Sequence, residues 1–199
     1  AIDDGTNLIT YKELDRLVDA YACDASRRIN EEVRKAGGER GGTTMTLACV
    51  CKNIVYMYYL GDSRIYLLRN DVLTRLTVLD VYSGSVHLVD PVAYDMIDSN
   101  VLTEEEAETS PDRHKLTMYL GYDDDTENVK SGFAGSYTLT PGDRYLMCSD
   151  GLNEMCSADE IRALLSAESD STAKLLVEKA LENGGRDNVT CLVIEVEKN

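Results

Sequence analysis

The stretch RYLMCSDGL at residues 144–152 decides the fold, because it joins an apolar run to an aspartate and a glycine. A short apolar run that is bounded by turn residues is typical of a buried strand. A second such run, NVTCLVIEV at residues 188–196, begins directly after Asp187. In an antiparallel pair, the end of one strand and the start of the other lie at the same edge of the sheet. This pairing would place Asp150 beside Asp187.

A pair of adjacent carboxylates has a limited set of chemical roles. The two groups repel each other, so they either share a proton or bind a cation. Oxygen ligands without thiolate or imidazole select a hard ion, either Mg²⁺ or Mn²⁺. Gly151 would let the backbone approach a ligand closely. Asp62, in the turn between two further apolar runs, is a third aspartate at a strand boundary.

The remaining pattern predicts helices around an antiparallel sandwich, an α+β fold; a parallel α/β arrangement is the weaker alternative. A capping box at residues 10–13 opens a long helix with one apolar stripe, which includes Leu17, Tyr21 and Ile29, and Gly37 ends it. Two more helices follow Ser157 and Ser171. The turns at residues 61–63 and 69–71 favour hairpins between successive strands. Seven runs predict strands: TMTLACV, NIVYMYYL, IYLLR, VLTRLTV, GSYTLT, RYLMC and NVTCLVIEV.

Charge and cysteine usage restrict the function classes. The chain has 36 acidic and 20 basic residues, a net charge of −16, which disfavours binding to nucleic acid or to anionic membranes. No signal peptide or membrane span is evident, so we expect a cytoplasmic location. The six cysteines include no C-x-x-C pair, which gives a zinc site little support. We expect Cys49, Cys148 and Cys191 to be free thiols packed in strands.

Several motifs occur together and in one order along the chain, from about residue 42 to residue 196. The motifs are Gly42-Thr-Thr44, Gly61-Asp-Ser-Arg64, Pro141-Gly-Asp143, Cys148-Ser-Asp-Gly-Leu152 and Gly185-Arg-Asp-Asn-Val-Thr190. With these motifs in this order, the chain resembles the metal-dependent serine/threonine protein phosphatases of the PP2C (PPM) class, of the bacterial type.

The resemblance implies a four-layer αββα sandwich with two Mn²⁺ or Mg²⁺ ions at one edge, and a weaker third position. By position, Asp150 and Asp187 match metal-ligand aspartates, Asp62 matches the aspartate near the third position, and Gly151 and Asn188 lie next to the metals. The implied reaction is hydrolysis of phosphoserine and phosphothreonine in proteins by a metal-activated water, without a covalent enzyme intermediate. The implied partners are phosphorylated proteins, the targets of a cognate serine/threonine kinase in signalling.

The chain departs from the family in one important respect. The family's Asp-Gly-Met-Gly-Gly segment, whose aspartate bridges the two metals, is not found in residues 1–199, and the first strands of the sandwich also have no counterpart. We therefore expect one N-terminally incomplete phosphatase domain over residues 1–199, with a flap-like insertion at about 82–125. The alternative is a non-catalytic binding or regulatory module that lacks a complete metal site.

Overall fold

The structure, a computed structural model, describes residues 2–3, 8–9, 11–37, 41–77, 119–121, 132–167 and 169–197. The chain divides into two units, one of residues 1–43 and 118–131 and the other of residues 44–117 and 132–199. The single domain over residues 1–199 stays a prediction. The predicted insertion at about 82–125 lies outside the described residues, except for 119–121.

The second unit contains two antiparallel sheets, and each of the seven predicted strands is present in one of them. The pairings between described strands are all antiparallel, so the predicted α+β class is confirmed. One sheet has the order β3-β4-β7, and the other has the order β6-β5-β8-β9. The strands are β3 (Met45–Cys51), β4 (Ile54–Leu60), β5 (Arg64–Arg69), β6 (Val72–Arg75), β7 (Gly132–Thr138), β8 (Arg144–Cys148) and β9 (Cys191–Glu195).

The four-stranded sheet is buried on both faces. Alternate residues of β5 and β8 point to opposite sides, as the two-residue period of a strand requires. Ile65 and Tyr145 pack toward β4 of the other sheet, whereas Leu68 and Leu146 pack toward the helices. Full burial of side chains of this size contributes about 1.5–3 kcal/mol each. The second unit therefore has three layers: a sheet, a second sheet and a layer of helices.

The turn at residues 61–63 does not form the predicted hairpin. It carries the chain from β4 in one sheet to β5 in the other, so the hairpin prediction was wrong at this turn. The turn at residues 69–71 does join a hairpin, β5 to β6. There Asn70 and Asp71 have φ angles of 52° and 62°, the left-handed values that a tight hairpin turn requires.

Three helices follow β8 in the second unit. They are α2 (Asp150–Asn153), α3 (Ala158–Ser166) and α4 (Thr172–Glu182). Ser157 and Glu160 form the predicted capping box of α3, with reciprocal side-chain to backbone bonds. The short helix α2 was not predicted, because four residues carry no periodic pattern. Among the described helices, none combines the length and apolar character that crossing a bilayer requires.

The first unit contains the long helix α1 (Tyr11–Gly37), which ends where the glycine predicts. A separate two-stranded sheet, β1 (Ile2–Asp3) and β2 (Leu8–Ile9), precedes it. The predicted buried stripe was wrong at Leu17, Tyr21 and Ile29, which are 48%, 73% and 43% exposed, whereas its members Val18, Ala25 and Val33 are half-buried.

The buried line of α1 consists instead of Ala22, Ser26 and Asn30, at intervals of four residues. Small side chains allow this burial, and two of the polar atoms form hydrogen bonds, whereas Asn30 Nδ2 has no partner among the described residues. Ser26 Oγ donates to the carbonyl of Ala22 at 2.8 Å, and Asn30 Oδ1 accepts a hydrogen bond from Gly121 N at 2.6 Å.

A buried ion pair holds the end of β5 against the turn before β8. The side chain of Asp143 is 2% exposed, and Arg69 donates to it from Nε at 2.8 Å and from Nη2 at 2.6 Å. Thr140 N donates to the same carboxylate at 2.9 Å. Burial alone would raise the pKa of Asp143, but the bonds from Arg69 and Thr140 outweigh it and hold the pKa below its ordinary 3.8. The Pro141-Gly-Asp143 motif therefore has a structural role.

We predict that Asp143→Asn lowers the free energy of unfolding by about 2–4 kcal/mol at neutral pH, since it leaves Arg69 without its charged partner. Because the pKa of Asp143 is lowered in the folded chain, this stabilisation is complete above the ordinary carboxyl pKa of 3.8 and is lost as the pH falls further. Urea unfolding of both proteins across pH 2–7 measures the difference. The matched control is Asp159→Asn, whose side chain is 96% exposed. Equal losses in the two variants would contradict the prediction.

Candidate metal centre

Three strands of the four-stranded sheet bring the predicted aspartates to one edge. Cys148, the last residue of β8, lies opposite Arg64, the first residue of β5, and opposite Cys191, the first residue of β9. Asp62, Asp150 and Asp187 lie two, two and four residues beyond this row in the sequence. The antiparallel register thus places the three aspartate-bearing segments at the same edge, as the sequence predicted for Asp150 and Asp187.

The segments of Asp150 and Asp187 are in direct contact at Gly151. A Cβ atom on Gly151 would lie 2.3 Å from the carbonyl oxygen of Asn188 and 3.5 Å from the carbonyl carbon of Asp187. Only the absence of a side chain allows this approach. The glycine therefore serves contact between two loops of the protein.

Each carboxylate of this pair is oriented by its own loop. Asp150 is half-buried at the start of α2, and its Oδ1 accepts a hydrogen bond from Gly151 N at 2.8 Å. Asp187 is exposed, and its Oδ1 accepts from Asn188 N at 2.7 Å. Within the described part of the chain, neither carboxylate forms an ion pair with a lysine or arginine.

The turn that carries Asp62 is held by contacts with the start of β3. The hydroxyl groups of Thr44 and Ser63 hydrogen-bond each other at 2.8 Å. Gly61 has a φ angle of 92°, and a Cβ there would lie 2.5 Å from Cγ2 of Thr44. Two motifs that were recognised separately in the sequence, at residues 42–44 and 61–64, are therefore in contact.

The donor set fits a hard cation in type but is small. Asp62, Asp150 and Asp187 offer oxygen ligands, which Mg²⁺ and Mn²⁺ prefer. Across the described ranges, however, no group of three or more His, Cys, Asp or Glu side chains comes close enough to hold a metal ion. The roles of these three aspartates, and of Gly151 and Asn188 beside them, stay predictions.

The cysteines do not contribute reactive groups to this edge. All six are free, with Cys148 and Cys156 buried and the others partly buried. Burial raises the pKa of Cys148 to about 12 and also raises the pKa of Cys191. Since the thiolate is the form that attacks or ligates, these thiols are inert at neutral pH.

A groove of about 690 Å³ lies at the opposite edge of the same sheet. Three of its carboxylates are already engaged by arginines: Asp143 by Arg69, Glu195 by Arg144, and Asp71 by Arg162. Carboxylates neutralised in this way are poor cation ligands. The predicted metal ligands Asp150 and Asp187 do not line this groove.

We predict that Gly151→Ala lowers the free energy of unfolding by about 1–3 kcal/mol, because the added methyl group would collide with the backbone of Asn188. For a chain of this size, each kcal/mol corresponds to a fall in melting temperature of about 2–4 °C, which calorimetry measures. Gly37→Ala is the control, since a Cβ there meets no atom within 4 Å. A Gly151→Ala variant as stable as the Gly37→Ala variant would argue against the contact.

Comparison with known proteins identifies relatives of one kind. No protein-family model matches the chain. The chain is 35% identical over 161 residues to serine/threonine protein phosphatase PstP of Mycobacterium tuberculosis. The aligned region covers 78% of the chain and 27% of PstP. It is 31% identical over 176 residues to protein phosphatase PhpP of Streptococcus pneumoniae, and this aligned region covers 85% of the chain and 65% of PhpP. The chain thus spans about a quarter of the length of PstP.

The fold agrees with this relationship. A crystal structure of the catalytic domain of PstP in complex with two manganese ions superposes with a TM-score of 0.67 at 30% identity, over 98% of this chain and 74% of that one. Sequence identity and fold therefore point to the same class of protein. The chain belongs to the bacterial PPM family of serine/threonine protein phosphatases, the PP2C class.

Proposed function

We propose that the chain carries part of a metal-dependent catalytic centre that hydrolyses phosphoserine and phosphothreonine in proteins. The observation that carries the proposal is the contact at Gly151, which holds the loops of Asp150 and Asp187 together at one sheet edge. The two manganese ions named for the PstP catalytic domain support Mn²⁺ as the cofactor. Mg²⁺ and a weaker third ion near Asp62 are part of the proposal.

The residues of this chain would act by binding and orienting. Asp150 follows a strand that is buried on both faces, so its backbone has little freedom to move. The loop of Asp187 lies against the loop of Asp150, and neighbouring carboxylates favour a bound cation over mutual repulsion. When bound, two such ions lower the pKa of water towards about 7 and neutralise charge on the phosphoryl group. Gly151 and Asn188 would lie next to the ions.

The expected substrates are those that this chemistry and the family imply. They are phosphorylated proteins, the targets of a cognate serine/threonine kinase, in the cytoplasm and in signalling. The net charge of −16 would slow the approach of polyanionic partners, so it favours phosphorylation sites within basic segments.

A second function stays open, namely a non-catalytic module that binds phosphoproteins or regulates a phosphatase. One observation favours it: within the described residues, the acidic and sulfur ligands do not gather in groups of three or more. Two carboxylates alone would leave two octahedral ions short of protein ligands. A module of this kind would bind Mn²⁺ more weakly than millimolar, if at all.

We predict that the intact gene product hydrolyses a phosphoserine peptide when Mn²⁺ is added, that chelation by EDTA removes the activity, and that Asp150→Asn and Asp187→Asn each abolish it. Each substitution removes the anionic charge that would hold the ion but keeps the shape of the side chain. Phosphate release over a range of Mn²⁺ concentrations is the measurement.

The control for this experiment is Asp170→Asn, an exposed aspartate at the opposite edge of the sheet, which changes the net charge equally. It should keep full activity. Hydrolysis that survives in both Asp150→Asn and Asp187→Asn would refute the assignment. An inactive intact gene product that still binds the phosphopeptide would support the module instead.

We also predict that Cys148→Ala keeps Mn²⁺-dependent hydrolysis within a few-fold of the wild type. With the pKa of Cys148 raised to about 12, the thiol is protonated at neutral pH and cannot act as a nucleophile. Cys51→Ala, at a half-buried position on β3, is the matched control. Complete loss of turnover in folded Cys148→Ala alone would indicate cysteine-based chemistry.

A further inference from the structure

Ser149 occupies a helix-capping position but does not cap its helix. It is the residue before α2, with extended backbone angles (φ −71°, ψ 164°), and its side chain makes no hydrogen bond to the first turn. Serine at this position ordinarily accepts a bond from a backbone N–H two or three residues ahead. Ser157, at the equivalent position before α3, makes that bond. The hydroxyl of Ser149 is therefore committed elsewhere.

The hydroxyl of Ser149 bonds to the loop that carries Asp187. Its Oγ accepts a hydrogen bond from Thr190 N at 3.0 Å and donates to the carbonyl of Asn188 at 3.2 Å. In a regular antiparallel pair, Thr190 N would donate to the backbone carbonyl opposite it. The reverse backbone bond, from Ser149 N to the carbonyl of Thr190, is present at 3.0 Å. The side chain thus replaces one bond of the ladder.

The loop has few other attachments. Within the described part of the chain, every hydrogen bond that joins residues 187–190 to another segment involves Ser149. Asp187, Asn188 and Thr190 are exposed and lie outside regular structure. The other constraints are the contact between Gly151 and Asn188 and the packing of Val189 against the hydrophobic core. Loss of the hydroxyl would therefore leave the loop of Asp187 held by one backbone bond, one steric contact and the packing of Val189.

We propose that Ser149 is a positioning residue, whose hydroxyl sets the separation of the Asp150 and Asp187 carboxylates. The inference rests on the proposed function, in which these two aspartates bind the metal. Ser149 directly precedes Asp150 in the sequence, and its two side-chain bonds reach Asn188 and Thr190, which follow Asp187. The uncharged hydroxyl of Ser149 thus links the segments of Asp150 and Asp187 without neutralising either carboxylate.

The positioning role of Ser149 can be tested in the chain without added metal. Ser149→Ala should increase the hydrogen-exchange rate of the Thr190 amide at least tenfold, because its acceptor is lost. Ser149→Thr should keep the wild-type rate, since threonine retains the hydroxyl and favours extended backbone. Ser157→Ala, which removes a true helix cap, should leave Thr190 unchanged. Unaltered exchange of Thr190 in Ser149→Ala would overturn the inference.

The metal test uses Mn²⁺ titration with paramagnetic broadening of backbone resonances as the readout. Ser149→Ala should bind Mn²⁺ about tenfold more weakly than the wild type, the effect typical of groups that orient metal ligands. Ser149→Thr should bind within twofold of the wild type, a rescue that a general loss of stability would not give. Equal affinity in Ser149→Ala and the wild type, with binding lost in Asp150→Asn, would overturn the inference and leave the proposed function intact.

Failure of the proposed function gives a different result. The wild type and Asp150→Asn would then bind Mn²⁺ equally, whatever stands at position 149. That outcome refutes the metal assignment and the positioning role with it. If Ser149→Ala does not fold, comparison of Ser149→Thr with Ser157→Ala still tests the role of the Ser149 hydroxyl. Fast exchange of the Thr190 amide and weakened Mn²⁺ binding in Ser149→Thr would contradict that role.

Discussion

The geometry of the candidate centre depends on the register of β8 between β5 and β9. Cys148 lies in one row with Arg64 and Cys191, so three strand ends meet at one edge. A slip of one residue would exchange the faces of β8 and turn Tyr145 toward the helices and Leu146 toward the other sheet. Both side chains are fully buried, in different cores. Apolar packing on both faces therefore fixes where the aspartates emerge.

The features that depend on local pattern and strand direction could be predicted well from the sequence. The seven strands were predicted from apolar runs, and the neighbouring positions of Asp150 and Asp187 were predicted from antiparallel pairing of the runs at 144–148 and 188–196. Prediction failed where the residues of a turn do not determine which strands pair with each other. The turn at residues 61–63 resembles a hairpin turn in composition, but its strands belong to different sheets. Burial of Ser63 and its bond to Thr44, nineteen residues earlier, depend on the whole sandwich.

The error on α1 has a related cause. Counting apolar residues at helical spacing selects Leu17, Tyr21 and Ile29, because periodicity measures hydrophobicity and not available space. Two of the buried residues, Ser26 and Asn30, form side-chain hydrogen bonds to Ala22 and Gly121. Such partners become visible only after folding. The same limit applies to Ser149, because no sequence pattern indicates its bond to Thr190.

The two ends of the four-stranded sheet treat their carboxylates in opposite ways. At one end arginines engage them, and the pair of Arg69 with Asp143 shows the result, a buried and neutralised carboxylate that stabilises the fold. At the other end a hydroxyl group fixes the chain near Asp187, where Ser149 bonds to Thr190, and within the described residues neither Asp150 nor Asp187 pairs with a lysine or arginine. A hydroxyl orients a loop without cancelling the charge of a neighbouring aspartate, whereas an arginine would compete directly with a cation. Hydrogen bonds from uncharged hydroxyl groups therefore suit a cation site, because they fix the backbone and leave the negative charge of the aspartates available.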